Sequence, residues 1–208
     1  GTQAVTITIN EDETAPVVNL SVGSNSITEN SGSSITVTAT MNFATIIDTD
    51  ITISTSGTAL EGTDYGSVAD ITISAGDTTG TATFTPTDDT VYEGNETATI
   101  TMASITGADA GSTTSQTITI TENESTPVVT LATSATTIAE NAGTSLTLTA
   151  TLSNATTEDV TVALSTSGTG TEGTDYAAIS DITISAGATT GTASFTPTDD
   201  TTYEGNET

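Results

Sequence analysis

Apolar and polar residues alternate with a period of two along most of this chain. Ile35, Val37 and Ala39 alternate with Thr36, Thr38 and Thr40, and Ile51 and Ile53 with Thr52 and Ser54. Ile71 and Ile73 flank Thr72; Ala82 and Phe84 alternate with Thr81, Thr83 and Thr85. Ala98, Ile100 and Met102 alternate with Thr99 and Thr101, and Ile118 and Ile120 with Thr117 and Thr119. Each run places apolar side chains on one face and β-branched threonine on the other, as a half-buried strand requires. Clusters of Gly, Asn, Asp and Ser punctuate the runs, and no segment carries a helical period. The pattern predicts strands at 17–28 (broken near Gly23), 34–41, 50–56, 69–74, 80–86, 97–104 and 115–121. Seven strands in about 110 residues predict an all-β fold, an immunoglobulin-like sandwich of two sheets.

The pattern then repeats. TPTDDTVYEGNET at Thr85–Thr97 returns as TPTDDTTYEGNET at Thr196–Thr208, an offset of 111 residues with no insertion or deletion. The same offset carries Pro16-Val17-Val18 onto Pro127-Val128-Val129, Ser56–Tyr65 onto Ser167–Tyr176, and Asp70–Gly76 onto Asp181–Gly187. A period of this length is too long for a solenoid unit and fits a whole small domain. The expected organisation is the last strand and acidic tail of a preceding repeat at 1–14, a complete domain at 15–125, and a second domain at 126–208 lacking its last two strands. One alternative is strand exchange, in which residues 1–13 complete the last domain of a neighbouring molecule and build a filament.

Charge narrows the chemistry. The 208 residues include 27 Asp and Glu and no Lys, Arg or His, for a formal charge of −27. With no cation to neutralise a phosphate, nucleic acid is excluded as a partner, and anionic membrane surfaces with it. No apolar run is long enough to insert into a membrane. Cysteine is absent, so there is neither a disulfide nor a thiolate metal site. Paired carboxylates can hydrolyse glycosides, but a chain without Trp lacks the usual sugar-stacking platform, and we expect no enzyme. The EF-hand loop pattern is absent as well.

Successive strands of a sandwich run in opposite directions, so the loops sort to two poles. One pole receives Glu29, Glu61, Asp64, Asp88, Asp89, Glu93, Glu96, Glu122 and Glu124; the other receives only the scattered Asp48, Asp50, Asp77 and Asp109. The second copy keeps Glu140, Glu172, Asp175, Asp199, Asp200, Glu204 and Glu207 at the first pole. Carboxylates crowded without a counter-charge repel. They are either solvated loops or the oxygen ligands of a hard cation, for which Ca²⁺, taking six to eight oxygens, suits better than octahedral Mg²⁺.

The motifs PVV, ENxG, SGTAxxGTDY, ITIxAGxTxG, TPxDDxxxEGNET and a closing TITI with an acidic tail together resemble the Calx-beta domain. The resemblance spans 15–125, the partial copy at 126–208 and the leading strand. It implies tandem seven-stranded β-sandwiches that bind several Ca²⁺ ions at one pole, as in sodium–calcium exchangers and in repeat-built bacterial surface proteins and adhesins. Carried over by position, it implies metal ligands at Glu29, Asp64, Asp88, Asp89, Glu93 and Glu96, with Glu122 and Glu124 in the acidic tail. That tail is three aspartates in the family's strongest binders, and reads Glu122-Asn123-Glu124 here. In the second copy the matching positions are Glu140, Asp175, Asp199, Asp200, Glu204 and Glu207, while Glu11, Asp12 and Glu13 would serve a preceding domain. Glu61 and Glu172 lie outside the motif. The expected function is an extracellular, cell-surface structural or adhesive segment, stiffened by Ca²⁺ and partnered by neighbouring repeats; a regulatory Ca²⁺ sensor is the alternative.

Overall fold

A computed structural model describes residues 3–10 and 12–208. In chain order the strands are β1 (Val17–Val22), β2 (Ser26–Thr28), β3 (Ile35–Met41), β4 (Thr49–Gly57), β5 (Ile71–Ile73), β6 (Thr79–Phe84), β7 (Val91–Tyr92), β8 (Glu96–Thr106), β9 (Asp109–Ala110), β10 (Ser115–Thr121), β11 (Val129–Thr133), β12 (Leu146–Leu152), β13 (Ala155–Thr156), β14 (Val160–Val162), β15 (Ile182–Ile184) and β16 (Thr190–Phe195). Single turns of 3-10 helix follow β2 (Glu29–Ser31) and β11 (Glu140–Ala142). Among the described residues no helix is long and apolar enough to cross a membrane. The chain divides into two compact units. The first runs to Asp88 and takes in Asn95–Thr121; the second comprises Asp89–Gly94 and Glu122–Thr208.

The first unit is a two-sheet sandwich with strand orders β6-β3-β1-β9 and β2-β10-β8-β4-β5. The expected break near Gly23 has a structural meaning. β1 pairs antiparallel with β3, then the chain changes sheets and β2 runs parallel to β10, with Thr119 opposite Ser26 and Thr121 opposite Thr28. The alternation seen in the sequence becomes the core. Val18, Leu20, Val37, Ala39 and Phe84 from one sheet meet Ile51, Ile71, Ile73, Ala98, Ile100 and Ile118 from the other, all buried. Burying each large aliphatic or aromatic side chain stabilises the unit by about 1.5–3 kcal/mol. Tyr65 closes one end, buried with its ring centroid 4.8 Å from that of Phe84. The sheets are also tied by hydrogen bonds: Leu20 N donates to Thr113 O at 2.8 Å, and Gln116 Nε2 donates to Leu20 O at 3.0 Å.

The second unit contains a β11-β12-β16 sheet and the pairs β14-β15 and β13-β7. Ala150, Leu152, Ile182 and Ile184 are its buried core. β11 is exposed throughout: Leu131 is 55% exposed, whereas Leu20, its counterpart at the 111-residue offset, is 1% exposed. Residues 3–10, which share the TITI pattern of β10, form no strand and leave Val5, Ile7 and Ile9 exposed. Alternation equips a segment for a sheet, but a strand exists only with a neighbour to receive its hydrogen bonds. Asp12 and Glu13 likewise lie in no strand, and Glu11 falls outside the described residues.

Candidate metal centre

In the first unit, two loops and one strand end present acids. The 3-10 turn after β2 begins with Glu29, which is buried, and ends at Gly32 in the left-handed conformation. The loop after β4 is folded by Asp64, whose Oδ2 accepts a hydrogen bond from Leu60 N at 2.6 Å, and Asp64 is buried by that turn. β8 opens on Glu96. Carboxylate oxygens of Asp64 and Glu96 lie within 4.8 Å of one another. Asp88 is exposed and belongs to no carboxylate group of three or more among the described residues.

The second unit holds Asp89, Glu93, Glu122 and Glu124. Oxygens of Asp89 and Glu93 approach within 4.8 Å, as do those of Glu122 and Glu124. Asp89 Oδ1 also caps its own turn, accepting from Val91 N at 2.7 Å. Glu122 sits in a cradle of backbone donors. Its Oε2 accepts from Glu93 N at 2.6 Å and Gly94 N at 2.9 Å, and its Oε1 from Asn123 N and Glu124 N, both at 2.9 Å. Partial burial pushes the Glu122 carboxyl up, but the backbone N–H groups of Glu124 and Glu93, the Glu124 side chain and the Gly94 N–H together outweigh it and hold the carboxyl at about 2. Hydrogen bonds to the charged form favour that form.

The same unit brings together Asp175, Glu204 and Glu207, whose oxygens all lie within 4.8 Å of one another. Asp175 is fixed as Asp64 is, accepting from Thr171 N at 2.6 Å. Like charge crowds the group. The Glu204 carboxyl is pushed up by the Asp175 charge first, then by desolvation and by Asp200, Glu207 and Glu140. The Glu207 carboxyl is pushed up by desolvation and then by its contacts with Asp175 and by the charge of Glu140. Glu140 accepts a hydrogen bond from Asp200 N at 2.9 Å, which ties the 3-10 turn to the 200–205 loop. Asp199 is exposed and joins no group of three among the described residues.

Other acids build turns rather than the acidic pole. Asp48 Oδ1 accepts from Ala75 N and Asp159 Oδ1 from Ala186 N, each at 2.8 Å. Asp70 Oδ1 accepts from Ile53 N at 2.8 Å, and Asp181 Oδ1 from Leu164 N at 2.9 Å. Glu61 accepts from Thr55 Oγ1 at 2.8 Å. The roles of Asp70 and Asp181 were not anticipated. Their signal is positional, since each stands immediately before the ITI strand whose neighbour it caps.

The family model of the Calx-beta domain matches residues 11–124 and again 122–208. The chain belongs to the Calx-beta family. Among solved structures, this Calx-beta chain is similar to the apo-form Calx CBD1 domain, at 21% identity over 51% of this chain and 98% of that one, with a TM-score of 0.42. It is also similar to CBD12 from CALX1.2 (18% identity, 85% and 73% of the two chains, TM-score 0.42). A third is the calcium binding domain CBD12 of CALX1.1 (15% identity, 84% and 73%, TM-score 0.42). No curated protein matches the sequence.

Proposed function

We propose that this chain is a non-catalytic Ca²⁺-binding module in which the acidic loops of each repeat take up the ion and become ordered by it. The observation that carries the reading is the Asp175–Glu204–Glu207 group in a chain with no cationic side chain. Two oxygens sharing a Ca²⁺ ion at 2.3–2.6 Å can stand no more than about 5 Å apart, and these lie within 4.8 Å. The donors are carboxylates, hard oxygens suited to that ion. The upward push on the Glu204 and Glu207 carboxyls is the electrostatic cost that a divalent cation would relieve.

Asp175, Glu204 and Glu207 would hold the ion in the second unit, with Glu140, Asp199 and Asp200 nearby in sequence or loop. By sequence position the first repeat carries the matching acids at Asp64, Glu93 and Glu96, and its other candidate ligands are Glu29, Asp88, Asp89, Glu122 and Glu124. Bound Ca²⁺ would supply positive charge that draws the loops together. A regulatory, sensor-type role fits this best, because the mutual repulsion that raises the Glu204 carboxyl would be relieved in proportion to the ion's concentration.

A second reading, an extracellular structural or adhesive segment of a longer surface protein, is favoured by the near-identity of Thr85–Thr97 and Thr196–Thr208. Such duplication suits a stalk whose partners are its own neighbouring repeats. Titration calorimetry with Ca²⁺ against Mg²⁺, with melting in chelator, tests the shared core of both readings. Saturable heat with Ca²⁺, lost from the second unit in Asp175→Asn, is expected. No heat at millimolar Ca²⁺ and an unchanged melt in chelator would overturn it. Solution scattering separates the readings: the stalk should lengthen in Ca²⁺, whereas a sensor need only tighten its loops.

A further inference from the structure

The second unit builds one of its edges from a borrowed-looking segment, residues 89–94. Within it, β7 runs parallel to β13, with Val91 opposite Ala155 and Tyr92 opposite Thr156. Tyr92 is half-buried there, in a groove it lines with Thr156, Thr157, Glu158 and Val160.

Both halves of this pairing recur elsewhere in the chain, unpaired among the described residues. At the 111-residue offset the donor DTVYEG (89–94) becomes DTTYEG (200–205), and the acceptor SNATTEDV (153–160) becomes NFATIIDT (42–49). The backbone of each copy is already set. On the acceptor side, Gly76 N donates to Thr45 O and Gly187 N to Thr156 O, both at 2.8 Å. Ala75 N is capped by Asp48 and Ala186 N by Asp159, again both at 2.8 Å. On the donor side, Thr202 N donates to Asp200 Oδ1 at 2.6 Å, as Val91 N does to Asp89 Oδ1 at 2.7 Å. Gly205 and Gly94 close the two donor loops with φ of 83° and 80°.

What differs is occupancy. Among the described residues no strand pairs with Ala44–Thr45 or with Thr202–Tyr203. Tyr203 is 97% exposed, and Ile46 beside the free acceptor is 96% exposed, with Ile47 and Phe43 exposed next to it. The free acceptor is also the more adhesive of the two edges. It carries Ile46 and Ile47 where the occupied one carries Thr157 and Glu158, so it has more apolar surface and one fewer negative charge facing the donor's acids.

We infer that the 200–205 loop of one molecule adds as a short parallel strand to the 42–49 loop of a second copy of this chain. Thr202 would stand opposite Ala44 and Tyr203 opposite Thr45, with the Tyr203 ring covering Ile46 and Ile47. Donor and acceptor are different surfaces, so the contact is heterologous and propagates head to tail rather than closing a symmetric pair. Its affinity rests on two residues of ladder and a small apolar patch. Copies this acidic repel over distances that salt shortens, so added salt should strengthen it. The contact requires no bound cation, and failure of the proposed Ca²⁺ binding would leave it standing.

The test is sedimentation of the intact chain from micromolar to millimolar concentration, in chelator, at low and high salt. The mean mass should rise with concentration, and rise further in salt. Ile46→Asp and Tyr203→Ser, both at exposed positions, should each hold the chain at monomer mass while the thermal melt is retained. An equal mixture of the two variants should recover a dimer and go no further, because each retains one working half. The chain has no cysteine of its own, so Ala44→Cys in one copy and Thr202→Cys in another should cross-link on mixing. Monomer mass throughout, or association that both substitutions leave intact, overturns the proposal; the second result would point to another surface, such as exposed residues 5–9.

Discussion

Replacing Gly57 with alanine should unfold the first unit far more readily than its position at a strand end suggests. Gly57 ends β4 at a φ of 135°, and a Cβ added there would stand 2.0 Å from the Thr97 carbonyl oxygen. A tolerable carbon–oxygen contact is about 3.3 Å, so that carbonyl must retreat by over an ångström. It currently accepts a hydrogen bond from Ala59 N at 3.1 Å, which would be lost. Losing that bond costs about 1–3 kcal/mol, and forcing a side chain into the left-handed region about 1–3 kcal/mol more. The sum, about 2–6 kcal/mol, is a large share of the stability of a domain this size. Calorimetry should show a fall of at least about 8 °C in the melting temperature of the first unit. Gly62→Ala is the control, since Gly62 also has positive φ, 90°, but nothing lies within 4 Å of its added Cβ. It should carry the conformational cost alone, about 1 kcal/mol or slightly more. Equal losses for the two variants would refute the close-approach argument. The functional corollary is that Thr97 follows Glu96, so Gly57→Ala should also weaken cation binding at the Asp64–Glu96 pair.

Three further outcomes are expected. Glu122→Gln removes a carboxylate held at about 2 against an ordinary 4.5; that group stabilises the fold above the ordinary value and the gain is lost as pH falls toward 2, so the variant should be less stable at neutral pH and flatter across that window in acid unfolding. The full shift corresponds to about 3 kcal/mol, and solvent screening of so accessible a group reduces the expected loss to about 1 kcal/mol. Glu204→Gln should act in the opposite sense: its carboxyl is pushed up by neighbouring charge, so the repulsion acts when it is ionised and fades as pH falls; in chelator at neutral pH the variant should melt higher, and Ca²⁺ should then raise its melt less than in the wild type. Phe84→Ala should cost about 3–5 kcal/mol in urea unfolding of the first unit, and Phe195→Ala less in the second, because Phe84 is fully buried and Phe195 only half-buried.

The main strands were legible because alternation is a property of the segment itself. Ile35, Val37 and Ala39 point inward in β3 as their spacing demands, and the interruption at Gly23 marks where the first strand changes sheets. The two-residue strands β7, β9 and β13 were not legible, since two residues carry no period and their pairing depends on which edge lies nearby. Burial in the second unit could not be read either. Val129–Thr133 has the pattern of Val17–Val22, yet one is exposed and the other buried on alternate residues, because burial is decided by the strands that cover the face. Strand topology expected seven acids of the second copy at one pole, and the structure brings three of them, Asp175, Glu204 and Glu207, within 4.8 Å of one another. The same topology set Asp48 at the opposite pole and assigned Asp70 to neither; that both accept a hydrogen bond from a neighbouring segment's backbone N–H depends on contacts distant in sequence.

The parallel pairing of β2 with β10 has a mechanical consequence. Tension applied through the chain pulls β2 toward its start and β10 toward its end, and in parallel neighbours these directions oppose each other along the ladder. The rungs from Ser26–Thr119 to Thr28–Thr121 are then sheared together rather than unzipped one at a time. A domain built this way should resist stretching more than one whose end strands peel apart, and a rupture force no higher than that of a peeled hairpin, read on a force probe, would deny it.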